Sequence, residues 1–134
     1  MGQGSGIVRA LLLDTDVLVD YLRGREAAVS FVQAHADRVV VSAVTVAELY
    51  AGVREDAESQ ELDEFLRIFP QLAATSEIAK AGGLHKCRYA RSHGVGLADA
   101  LVAATAEAHG AELATLNVKH YPMFKGLSPP YRAS

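Results

Sequence analysis

Asp14, Glu48 and Asp99 are the residues of this chain whose types and positions could do chemistry together. Asp14 directly follows the uninterrupted apolar run Ala10–Leu13, which reads as a buried parallel strand. Thr115 and Asn117 close a later strand-like segment. In open α/β sheets, ligands bind just outside the carboxyl ends of the strands, so these positions face a site by default. Glu48 and Asp99 fall in the opening parts of helical stretches. At helical spacing the neighbours of Glu48 are Val44, Ala51 and Gly52, and those of Asp99 are Val95, Val102 and Ala103. Each carboxylate thus shares a face with small apolar residues, where an unpaired charge is costly. No lysine or arginine lies nearby in sequence to neutralise them, and a hard divalent cation, Mg2+ or Mn2+, suits oxygen donors of this kind. Each acid also fits a plainer role: Asp14 as the N-cap of the helix after it, Thr45–Glu48 as a capping box, and Asp99 as a cap of its own helix.

The elements that must position these groups alternate along the chain. Strands are predicted at Ala10–Leu13, Val39–Val41, Leu72–Ala74 and Glu112–Thr115. Helices are predicted at Asp16–Leu22, Glu26–Ala36, from Ser42 or Thr45 to about Val53, Ser59–Phe69 before Pro70, Thr75 to about Ser92, and Leu97–His109 before Gly110. This order predicts an α/β fold: a three-layer α/β/α sandwich around a central, mainly parallel sheet. No internal repeat or linker breaks it, so residues 7–134 read as a single domain. Residues 1–6 (Met-Gly-Gln-Gly-Ser-Gly) read as the remnant of an expression tag and are set aside.

Composition narrows the class. The chain has 134 residues, 50% hydrophobic and 22% charged, with a net charge of −3. A chain of this length buries roughly two-thirds of its unfolded surface and holds a core without disulfides. The lone cysteine, Cys87, excludes an internal disulfide or a CxxC zinc site and is expected to be a small core residue. The five histidines show no HxxxH or HExxH pairing. No apolar run approaches the length of a membrane span, and the expected setting is the reducing cytoplasm. Charge is unevenly placed. Acid gathers at Glu55, Asp56, Glu58, Glu61, Asp63 and Glu64, and base gathers between Lys80 and Arg91.

Taken in order, four segments resemble the PIN-domain ribonucleases, and within them the VapC-type toxins of VapBC toxin–antitoxin pairs. They are Leu12–Gly24 (LLDTDVLVDYLRG), Ser42–Gly52 (SAVTVAELYAG), Leu97–Ala106 (LADALVAATA) and Leu113–Tyr121 (LATLNVKHY). The resemblance implies that Asp14, Glu48 and Asp99 form an acidic triad holding one or two Mg2+ or Mn2+ ions. Asn117 falls where many members place a fourth acid, and its neutral amide puts a second metal position in doubt. Thr15 and Thr115 match hydroxyls that orient the acids. Asp16, where the family often has asparagine or serine, either adds charge near the metal or stabilises the first turn of its helix. The implied reaction is cleavage of RNA phosphodiesters by metal-activated water, leaving a 5′-phosphate and a 3′-hydroxyl.

An acidic pocket repels RNA, so affinity is expected from its rim: Lys80, Lys86, Arg88 and Arg91, with Lys119 and His120 next. Tyr50, Tyr89, Tyr121 and Phe124 are the aromatics available for stacking on bases, although Tyr89 equally fits a half-buried core position. The resemblance also implies a VapB-type antitoxin partner and a homodimer, and the acidic segment Glu55–Glu64 with the apolar helices around it is expected to help receive the antitoxin. Two other readings stand beside it. One is a non-catalytic PIN module that binds RNA or protein. The other is a haloacid-dehalogenase-type phosphatase, suggested by Asp14-Thr-Asp16-Val-Leu-Val but lacking that family's downstream acidic pair.

Overall fold

Residues 8–133 are described by a computed structural model; the predicted tag remnant, residues 1–6, lies outside them. Four short strands, β1 (Leu11–Leu13), β2 (Val39–Ser42), β3 (Gln71–Leu72) and β4 (Glu112–Ala114), form one sheet in the order β3-β2-β1-β4. Every pairing is parallel, with Leu12 opposite Val40 on one side and Leu113 on the other. Side chains alternate across a strand, and the sheet uses both faces. Leu11, Leu13, Val39, Val41 and Ala114 enter one core, while Leu12, Val40 and Leu113 enter the other. Burying each of the large aliphatics contributes roughly 1.5–3 kcal/mol.

The first face is covered by α1 (Thr15–Leu22), α2 (Glu26–Ala34) and α4 (Asp56–Leu66), through Val17, Leu18, Val32, Leu62, Phe65 and Leu66. The second is covered by α6 (Leu97–Ala108), through Val102, Ala103 and Ala106. Helix α3 (Ala43–Ala51) leaves β2 directly, and α5 (Ser76–His93) packs on α6. The predicted three-layer arrangement is the one observed. No helix among the described residues is long and apolar enough to cross a membrane.

Local chemistry explains where the elements begin and end. Thr75 caps α5 by accepting from the Ile78 amide, and Gly94 ends it at φ 63°, a conformation favourable to glycine. Helix α4 starts three residues earlier than predicted, at Asp56, with Asp56 and Glu58 in a first turn that favours acid. The second helix ends at Ala34 and gives way to a 3-10 turn, Ala36–Arg38. Strand β3 occupies Gln71–Leu72 rather than Leu72–Ala74. Cys87 corrects an expectation: it is exposed, not a core residue. Nine positions beyond the buried Ile78, at 3.6 residues per turn, it faces the opposite side of α5.

Candidate active site

The chain leaves β1 in one direction to build β2 and β3, then crosses back to lay β4 on the other edge of β1. The carboxyl ends of β1 and β4 therefore meet at a switch in strand order, where α/β sheets form clefts. Asp14 sits there, with its amide donating to the Ala114 carbonyl at 2.9 Å. The residue is only 5% exposed. Oδ1 accepts from the Thr15 amide at 2.9 Å, so the plainer N-cap role is also real. Oδ2 accepts from the Thr115 hydroxyl at 2.8 Å and from the Tyr121 hydroxyl at 2.9 Å.

Asp99 reaches the same place from the first turn of α6. The N-cap of that helix is Gly96, so Asp99 is not its cap. Its Oδ1 stands 3.3 Å from the Tyr121 hydroxyl, and its Oδ2 lies 3.2 Å from Nδ1 of His120. Burial and then the neighbouring Asp14 hold its carboxyl above the usual aspartate range, against the attraction of His120. Asp16 extends the acidic group. Its Oδ1 accepts from the Val17 amide at 2.7 Å and its Oδ2 from the Leu116 amide at 3.0 Å. Burial, with Asp14 second, pushes its pKa up to about 6.

Glu48 arrives from α3. The expected capping box does not form, because Ser42 caps that helix and Thr45 is buried within it. Glu48 instead accepts the Thr15 hydroxyl at 2.6 Å, and its side chain is exposed rather than turned into the apolar interior. Thr15 and Thr115 thus bond the acids as expected. Asn117 enters through its backbone, donating to the Thr115 hydroxyl at 3.1 Å, while its side chain is exposed.

The rim departs from expectation in several places. Lys80, Arg88 and Arg91 are exposed on the outward side of α5, but Lys86 donates to the Val95 carbonyl at 3.3 Å. Lys119 is exposed and His120 half-buried against Asp99. Tyr121 is no stacking platform: it is 1% exposed, its ring packs on Phe124, and its phenol lies among the acids. Those acids and its burial raise the phenol pKa far above that of free tyrosine, burial first. Tyr50 is occupied by a hydrogen bond to Asp63. Tyr89 stays half-buried between His85 and His93. Reasoning from sequence missed the role of Tyr121 in joining Asp14 to Asp99. The available signal was an aromatic with a polar tip in the loop after β4.

Among the described residues, no lysine or arginine pairs with Asp14, Asp16, Glu48 or Asp99. Asp14 Oδ1 has one donor, leaving a lone pair for a further partner. An all-oxygen, anionic donor set of this kind fits a hard divalent cation. As they sit, no three acid, histidine or cysteine side chains among the described residues are already gathered around one point. A groove of about 570 Å3 opens beside the acids. Thr15, Glu48 and Leu49 form one wall, and Glu58, Glu61 and Leu62 of α4 form the other.

The sequence profile of the PIN domain family matches residues 11–121. Ribonuclease VapC10 of Mycobacterium tuberculosis is 45% identical over 124 residues, 90% of this chain and 92% of that protein. Ribonuclease VapC19 of the same organism is 40% identical over 124 residues, 90% of this chain and 98% of that protein. Among solved structures, a toxin–antitoxin complex from Klebsiella pneumoniae includes a similar chain. Its TM-score is 0.78 at 27% identity, covering 91% of this chain and 98% of that one. These matches leave no place for the phosphatase reading. With the acids at the sheet's switch point and the profile spanning the chain from β1 to Tyr121, this protein belongs to the PIN domain family, beside the VapC ribonucleases.

Proposed function

We propose that this chain is the toxin of a type II toxin–antitoxin pair, an endoribonuclease that uses Mg2+ or Mn2+ held by Asp14 and Asp99 with Glu48. The observation that carries this reading is the meeting of Asp14 and Asp99 on one phenol, with no lysine or arginine paired to either among the described residues. A divalent cation bound there supplies Lewis acidity, easing deprotonation of water and offsetting the charge of a phosphodiester. The chain's own groups do the positioning. Thr115, Tyr121 and the Thr15 amide fix the Asp14 carboxylate, and the Thr15 hydroxyl of α1 steers Glu48 of α3. Glu48, exposed at the mouth of the groove, is placed to orient the attacking water. Asp16 ties α1 to the exit of β4 and adds negative charge. Asn117 contributes its backbone to this frame and no fourth charge, which supports a site built on the other acids.

RNA is bound at the rim, by Lys80, Arg88 and Arg91 on the exposed side of α5 and by Lys119 beside the site. The last turn of α5 joins the first turn of α6, which carries Asp99, through Gly94–Gly96 alone. A VapB-type antitoxin occupies the groove between α1, α3 and α4, which combines apolar Val19, Leu49 and Leu62 with acidic Glu48 and Glu61, while Arg23 also lines it and Glu58 pairs with Arg54. That mixture suits a segment with apolar and basic side chains. The working form is a cytoplasmic homodimer, which light scattering at micromolar concentration tests.

Sequencing new RNA 5′ ends in cells expressing the chain, beside an Asp99→Asn control, tests the activity and identifies the substrate. Discrete 5′-phosphate ends absent from the control are expected. A binding-only module is the rival, favoured by the separation of the acids as they sit. RNA binding insensitive to EDTA, with identical 5′ ends in both cultures, would establish it instead.

A further inference from the structure

We infer that Tyr121 is a positioning residue, whose hydroxyl sets the separation of Asp14 and Asp99 for the cation they hold. The inference rests on the proposed metal site and adds a residue that the acidic triad does not include. Asp14 follows β1 and Asp99 lies in the first turn of α6, so the two carboxylates come from different elements. One hydroxyl touches both, at 2.9 Å to Asp14 Oδ2 and 3.3 Å to Asp99 Oδ1. A phenol has a single proton, so its two carboxylate neighbours share one donor and are drawn to a common point.

The ring that carries this hydroxyl is held firmly. Tyr121 is 1% exposed, packs in the core with Leu12, Val102 and Ala103, and stacks on Phe124 at 6.4 Å. Its backbone closes the 3-10 turn Val118–His120 by donating to the Val118 carbonyl at 3.1 Å. The preceding residue in that turn, His120, lies 3.2 Å from the other oxygen of Asp99. Two successive residues thus grip both oxygens of Asp99, while only Tyr121 also reaches Asp14. Groups that orient metal-binding side chains are commonly worth about 10–100-fold in metal affinity.

Tyr121→Phe keeps the ring and deletes the hydroxyl. Its test is Mn2+ affinity by calorimetry on the full chain, alongside Tm in EDTA and steady-state RNA cleavage. The expected result is about a tenfold weaker Mn2+ Kd. A fall in kcat that excess Mn2+ partly restores should accompany it, with KM for RNA little changed. A lower Tm with an unchanged Mn2+ Kd would make the hydroxyl merely structural and overturn the inference. A second measurement needs no variant at this position: fluorine NMR of the native sequence labelled with 3-fluorotyrosine. Four of the five resonances are assigned by replacing Tyr21, Tyr50, Tyr89 and Tyr131 in turn. The remaining one, Tyr121, is expected to shift saturably with Mg2+, and a resonance that does not move overturns the inference. If the unsubstituted chain itself binds no Mn2+, the metal-site reading fails and this inference fails with it. If it binds and Tyr121→Phe binds equally well, only the inference fails.

Discussion

At the scale of single residues, the site is a set of like charges held together by donors. Asp14 takes its bonds from one amide and two hydroxyls, and Asp16 takes its bonds from two amides and, at 3.4 Å, the Thr115 hydroxyl. These donors stabilise carboxylates that would otherwise repel one another in a partly dry cleft. A cation that binds only the folded arrangement raises stability by mass action. Saturating Mn2+ is therefore expected to raise Tm by several degrees, and Asp99→Asn to remove most of that rise; differential scanning fluorimetry with and without EDTA reads both. The acids also predict a pH dependence of the metal-free chain. Folding lifts the Asp16 pKa from 3.8 to about 6, so the folded state holds that proton more tightly than the unfolded state does. This contribution is fully present below about pH 4 and is lost as pH rises through about 6. In EDTA, Tm is expected to fall between pH 5 and 7.5 by more in the native chain than in Asp16→Asn.

At the scale of elements, the contact of α5 with α6 places the first turn that carries Asp99. Gly82 is buried at that contact. A Cβ there would lie 2.6 Å from Leu101 Cδ2 and 3.1 Å from its Cα. The terminal carbon can move aside, but the backbone atom cannot do so cheaply. A Cβ on the next residue, Gly83, would meet nothing within 4 Å. The two glycines share a helix and differ in surroundings, so they separate crowding from helix propensity. Gly83→Ala is expected to stabilise the chain by up to about 1 kcal/mol, the usual gain of alanine over glycine in a helix interior. Gly82→Ala sets that gain against crowding of roughly 1–3 kcal/mol and is expected to lower stability. Urea unfolding of the pair checks both signs. The outward side of α5 carries Lys80, Arg88 and Arg91. Replacing all of these with glutamine is expected to raise KM for RNA and reduce its salt dependence, with little change in kcat.

At the scale of the whole molecule, the C-terminal segment fastens back onto the first two helices. The Tyr131 hydroxyl donates to Asp20 Oδ2 at 2.9 Å, and Arg25 pairs with the same oxygen at 2.9 Å. The Arg25 guanidinium also lies 5.0 Å from the centre of the Tyr131 ring and donates to the Arg132 carbonyl. This join is partly exposed, so its worth in global stability is modest. Its local effect is larger, because chain ends fray unless tied down, and here the join adds to the packing of Tyr131 on the first core and on Phe31. Arg25→Ala is expected to speed limited proteolysis beyond Leu127 while changing Tm by only a degree or two. Mass spectrometry of the fragments identifies the cut.

The alternation of apolar runs with capped helices was enough to infer a parallel α/β sheet. The two central strands, β1 and β2, are short and buried on both faces, so each reads as an unbroken apolar run: Leu11-Leu-Leu13 and Val39-Val-Val41. Asp99 was legible for a related reason, as a charge set among small apolar neighbours at helical spacing, whereas Glu48, which the same pattern turned inward, is exposed. Other features depended on which helix lies against which. Cys87 is exposed because α6 takes the other side of α5, and Glu48, left out of a capping box because Ser42 caps α3, accepts instead from Thr15 of α1 at 2.6 Å. The junction at Tyr121 joins residues 107 and 22 positions away. No local pattern encodes such a contact, since side chains that distant meet only once the sheet has closed and the last loop has folded over its end. Local sequence determined where charge sits along each element; tertiary packing decided which charges share a proton.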